Sequence, residues 1–312
     1  MFQFLFRKWR GSSKAAVKRG EKLAGFSSTK IKVQADQLPE QLGLLADIPL
    51  HMTVSKLEGS LPADFVERIQ YRVQTEHPQM SDDEFACKWF ELKRFFLMNA
   101  LLKRTPMFSS AIDDIWHAML MFTREYQRFG DQFVGEMIHH APEREPKQMP
   151  GERAWFDWVY AHLFEFTPAS SACWNGFFRY PLDKERTRLL LSASEEEIAE
   201  SLFDMKKAEN NQELLETITI LVRKAVREAR RSEESDTYDH TDLTDPIGLP
   251  GSMLGMAAAM MFFSIVDEGD YLTQMEALQP QEEEDPSYKA SGCSSSGCTS
   301  LSGGEDFLWV RR

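Results

Sequence analysis

Between Pro62 and Arg231 the apolar residues recur at helical spacing, and the ends of most runs carry the residue types that start or stop helices. Phe65, Ile69 and Val73 stand at i, i+4 and i+8, and the run stops before Pro78. Ser81-x-x-Glu84 is a capping box that opens a long helix carrying Phe85, Trp89, Leu92, Phe96 and Leu101. Lys103 and Arg104 suit the negative end of that helix, and Pro106 follows. Ser110-x-x-Asp113 opens the next helix, which the apolar pattern carries to about Phe129. Trp155, Trp158, Val159, His162 and Phe166 mark another, closed by Pro168; Ser194-x-x-Glu197 opens one more, and the last runs from Glu213 to about Arg231. No strand signal of comparable strength occurs, so the expected class is all-α.

Charge divides the chain at the same place as periodicity. From Glu233 to the end, sixteen Asp and Glu stand against Lys289, Arg311 and Arg312, which accounts for the whole net charge of −13. The first 232 residues are neutral, so nothing in the charge argues for a nucleic-acid partner. The organisation expected is a lead-in at 1–60, a single helical domain at 61–232 and an acidic tail at 233–312. Residues 25–62 lack clear period and read as irregular. Fourteen acids and no Lys or Arg between Glu233 and Asp285 give a stretch that cannot offset its ordering entropy, so the tail is expected to be largely disordered.

Three segments outside the helical domain carry their own signals. Residues 1–23 set Phe2, Phe4, Leu5, Phe6 and Trp9 among Lys and Arg, a composition suited either to an anionic membrane surface or to packing back on the domain. Within the tail, Pro246 to Val266 is uncharged and Met-rich; Pro250, Gly251, Gly255 and acidic flanks argue against a membrane span. That segment, or the tail around it, is the expected contact with a protein partner or with the chain's own domain. The end of the chain holds Cys293 and Cys298 in a Ser/Gly run, too few ligands for a zinc site by themselves. Four cysteines in 312 residues do not make a disulfide framework; Cys87 and Cys173 read as small core residues, and a reduced cytoplasmic setting is expected.

Side chains capable of chemistry concentrate between Ile112 and Pro142, IDDIWHAMLMFTREYQRFGDQFVGEMIHHAP. On a helical wheel Ile115, Trp116, Met119, Phe122, Tyr126 and Phe129 share one broad face. Asp113 and His117, at i and i+4, fall on a flank whose neighbours are also apolar, so they are expected to be partly covered and to bond to each other. A carboxylate that fixes one imidazole nitrogen leaves the other free for a metal. His139 and His140 lie where the chain can turn back along the helix; adjacent residues diverge, so one of the two is expected to face His117. Asp113, His117 and His139 or His140 together suit zinc, iron or manganese. The competing expectation is a buried hydrogen-bonded corner with no metal.

The pattern Asp113-x-x-Trp116-His117, Thr123-x-x-Tyr126-x-x-Phe129, His139-His140-x-Pro142 resembles a family of uncharacterised bacterial proteins related to glycine-rich domain-containing proteins. The resemblance covers roughly Phe85 to Pro142 and implies a domain without a reaction. Two positions depart from it: Met119, where many members have a second histidine, and Gly130, where many have a cysteine. Two function classes follow. One is a helical interaction or scaffold module with a structural Asp–His corner, to which the sequence leans; the other is a metal-dependent, hydrolase-like enzyme.

Overall fold

The computed structural model describes residues 35–142, 149–235 and 253–278, with the backbone of 298–301. It is an all-α body, and its helices begin with α1 (His51–Gly59), α2 (Ala63–Glu76) and α3 (Asp82–Leu101). Ser81 caps α3 by accepting from the Glu84 amide, while the Glu84 carboxylate turns to Lys88 at 2.6 Å, so the cap forms as a single bond. α3 is the axis of the core: Leu92, Phe95, Phe96, Leu97, Met98 and Leu101 have no exposed surface, and even Glu91 and Arg94 are sealed. A helix buried on nearly every side needs apolar residues all round, and its sequence supplies them.

β1 (Arg104–Met107) leads into α4 (Ser110–Leu120) and α5 (Thr123–Phe133). The periodicity from Ser110 to Phe129 predicts one continuous helix, but two are found. Phe122 leaves helical geometry at φ −95° and ψ 63°, its ring set edge-on to Phe65 and close to the Arg68 guanidinium. Packing against α2 thus breaks a helix that local pattern alone would continue. The cap of α4 is Ser109, one residue before the expected Ser110, with its hydroxyl accepting from the Ile112 amide.

After β2 (His139–Pro142) come α6 (Pro150–Leu163) and α7 (Pro168–Trp174). Pro168 was expected to close a helix. It instead begins α7, where a missing amide costs nothing, behind a Thr167–Ser170 capping box. α8 (Lys184–Ser192), α9 (Glu195–Leu202), α10 (Met205–Ala208) and α11 (Gln212–Glu234) follow, α9 opening on the expected Ser194–Glu197 capping box.

The core does not stop at the boundaries read from charge. Leu42, Ile48, Leu50, Val54 and Leu57, from the segment expected to be irregular, belong to the same buried cluster as α3. So does α12 (Met253–Val266), the Met-rich segment, which lies on α11 and α6 with Met256, Met260, Met261, Phe262 and Phe263 buried. Ser264 accepts from the Leu182 amide at 2.9 Å and donates to the Met260 carbonyl. α13 (Tyr271–Leu278) follows, and the Tyr271 hydroxyl donates to the Phe178 carbonyl. Unbranched methionines fill the irregular gap between two helices well, which explains the composition without a membrane. Among the described residues no helix is long and apolar enough to cross a bilayer. The expectations for residues 1–23 and for Cys293 lie outside the described residues.

The strands form one small antiparallel sheet in the order β1-β3-β2, where β3 is Cys298–Leu301. An all-α reading does not anticipate it, because each strand has only four residues.

Candidate metal site

The chemistry-bearing side chains of α4, α5 and β2 meet at one corner. Asp113 stands in the first turn of α4, where the helix dipole favours a carboxylate, and its side chain is 10% exposed. His117, one turn later on the same face, is 49% exposed and places Nε2 3.7 Å from Asp113 Oδ2. The carboxylate's closer partner is His140, whose Nε2 lies 2.8 Å from Oδ1 and whose side chain is 2% exposed. The expected Asp113–His117 hydrogen bond is therefore replaced by Asp113–His140, with His117 just beyond bonding reach. His139 is exposed. Alternation along a strand sends neighbours to opposite faces, so only one of the pair can enter the corner.

Trp116 and Tyr126 hold this arrangement in place. The indole is fully buried, packs on Phe95 and Phe96, and meets the His140 ring edge-on at 4.3 Å between centroids. Its Nε1 donates to the Tyr126 hydroxyl at 2.9 Å, and that hydroxyl donates to the Ile138 carbonyl at 2.6 Å. Burial pushes the Tyr126 phenol well above its ordinary range, which keeps the donor protonated. A relay from α4 through α5 thus fixes the backbone two residues before His140. Gly130 makes the same approach possible: a Cβ there would lie 2.6 Å from the Glu136 carbonyl oxygen and 3.1 Å from the Met137 Cα. Met119, the other departure from the pattern, is fully buried core.

One ligand atom each from Asp113, His117 and His140 can be chosen so that all lie within 4.8 Å of one another. Ligands of a tetrahedral ion with bonds of about 2.0–2.1 Å sit about 3.3 Å apart. The two separations from the carboxylate, 2.8 Å to Oδ1 and 3.7 Å to Oδ2, bracket that value. Two imidazoles and a carboxylate are a donor set for zinc, iron or manganese. The exposed edge of His117 leaves one side of the corner open to solvent.

A family model described as UCP032817-like matches residues 59–154, a span that contains every residue of this corner. No curated protein and no solved structure matched the chain. The kinship with an uncharacterised family is thus supported over the part of the chain that builds the corner.

Proposed function

We propose that the chain is a helical module that holds a divalent transition-metal ion at Asp113, His117 and His140, with a fourth position open to water. The observation that carries this is the convergence of two imidazole nitrogens on one carboxylate, at 2.8 and 3.7 Å, on the boundary between core and solvent. A metal with three protein ligands and an open position lowers the pKa of its bound water and supports hydrolysis, so a hydrolase-like activity is the enzymatic form of this reading. The link to glycine-rich domain-containing proteins is part of the same proposal and rests on the Asp113-x-x-Trp116-His117 pattern.

A second reading has its own support: the 2.8 Å Asp113–His140 bond closes the corner without any ion, as a scaffold module needs. Elemental analysis of the purified protein and its melting temperature with and without chelator separate the two. The metal reading expects about one equivalent of metal and a fall in melting temperature on chelation, abolished in His117→Ala. No bound metal, no zinc-induced stabilisation and no chelator effect would leave the scaffold reading standing.

A further inference from the structure

The two strands contributed by the helical body, β1 and β2, do not pair with each other. Both pair with β3, which enters between them from the far end of the chain. Strands spaced about 4.8 Å apart leave β1 and β2 separated by about twice that distance, the width of one extended chain. In register, Ser300 stands between Thr105 and His140, Thr299 between Pro106 and Ala141, and Cys298 between Met107 and Pro142.

The two prolines say which edges of this gap are made for pairing. In an antiparallel ladder successive residues of a strand turn their amides to opposite sides. The register puts Pro106 and Pro142 in the same phase, so either both face β3 or both face away. Facing β3, they would strip the ladder of donors on both sides. Facing away, they place every available inner donor, from Thr105, Met107, His139 and Ala141, toward β3, and they block the outer edges against a further strand. The body therefore carries two inward-facing strand edges that need a partner, and two outward edges that refuse one.

We infer that the gap between β1 and β2 is a docking slot for a single extended strand, that its occupant is the chain's own Cys298–Leu301, and that this strand helps to position His140. Backbone pairing asks little of side chains, which suits a Ser/Gly-rich segment with small residues on both flanks. His140 is then held from two directions, by the Tyr126–Ile138 bond on one side and the β3 ladder on the other. The last clause rests on the metal reading; the slot itself does not.

Amide hydrogen exchange of the full chain, kept metal-free with chelator, tests the slot. The comparison is between the parent, Thr299→Pro, which removes a central-strand donor, and a control Ala290→Pro. In the parent and the control, the amides of Thr105, Met107, His139 and Ala141 are expected to be protected. In Thr299→Pro they should exchange at least about tenfold faster, because a broken ladder opens as a unit. Equal rates in all three proteins would overturn the proposal. Protection that disappears on dilution, together with a doubled mass by light scattering, would assign the strand to a second copy and overturn the assignment in cis. Zinc titration of the same proteins is the second readout, with affinity several-fold weaker in Thr299→Pro alone. Unchanged affinity with lost protection would remove the positioning role and keep the slot; zinc binding to none of them would sink the metal reading and leave the exchange result untouched.

Discussion

Two polar clusters of this protein, built from similar chemistry, are finished differently. In the first, Glu91 and Arg94 on α3 are completely sealed, 3.3 Å apart, and their capacity is spent on neighbours. Arg94 donates to the Leu42 and Glu165 carbonyls, to Tyr160 and to Ser170; Glu91 accepts from Tyr160, Ser170 and Trp174. The guanidinium also lies over Phe90 and Phe164. In the second, Asp113 and His140 are covered while His117 stands at the surface, 3.7 Å from a carboxylate it does not quite reach. A buried ion pair is tolerable only when its polar atoms are partnered, and in the first cluster each guanidinium nitrogen and both carboxylate oxygens have a partner. A cluster at the rim with a donor held short of bonding distance has capacity left over. The first ties α3, α6, α7 and the segment before α1 together; the second is available to something else.

The contrast can be broken most forcefully at Arg94. Arg94→Met leaves the Glu91 carboxylate buried without its cation, and the loss expected is about 3–5 kcal/mol of unfolding free energy. Denaturant titration showing a change below about 1 kcal/mol would mean that the sealed cluster is not a structural lock. Tyr126→Phe probes the support beneath the open corner. It removes the acceptor for Trp116 and the donor to Ile138, with an expected cost of about 1–3 kcal/mol. The same variant should loosen zinc binding, since it frees the backbone leading to His140; intact affinity would show that the relay serves stability alone.

Asp157 sharpens the comparison from the sealed side. It is fully buried against Arg153, and burial pushes its carboxyl from the ordinary 3.8 up to about 6. Between those values the folded protein binds more protons than the unfolded chain. The group's contribution is therefore complete below about pH 4 and is lost as pH rises through about 6, with a slope of up to about 1.4 kcal/mol per pH unit. Subtracting the stability profile of Asp157→Asn from that of the parent should isolate this slope between pH 4 and 6; a flat difference would refute it. The smallest effect belongs to the open corner. His117→Ala should move stability without metal by less than about 0.5 kcal/mol, because the ring is half exposed and makes no short bond. Its signature is the disappearance of any zinc-induced rise in melting temperature. A large destabilisation of the metal-free variant would place His117 with the structural residues instead.

How far the sequence foretells this can be judged residue by residue. Ser81, Ser194 and the apolar faces of α2, α3 and α11 were legible because caps and periodicity are local. The break at Phe122 was not, since it comes from a ring packing on another helix. α1 was missed as part of the core, and whether α12 docks on the chain's own domain or on a partner stayed open, for a related reason. Charge and composition report what a segment is made of, not whether a distant surface exists to receive it. At the candidate site the residue types were legible, and so was the rule that only one of His139 and His140 can face inward. Which one does so depends on where Tyr126 holds the Ile138 carbonyl, and that distance is tertiary. The Glu91–Arg94 lock gave no signal, because a Glu and an Arg three apart on a helix ordinarily mark a solvated face.

Gly130 gives position 130 a role that no functional-group inventory would assign. It has no side chain to donate, accept or ligate, yet a single methyl group there meets backbone at 2.6 Å, and backbone cannot swing aside as a flexible side chain can. The strand bearing His140 lies where it does partly because nothing occupies that space. In a scan of all substitutions, position 130 should therefore be as intolerant as the corner residues it never touches. A thiol at this position would push the segment that leads to His140 off its present course.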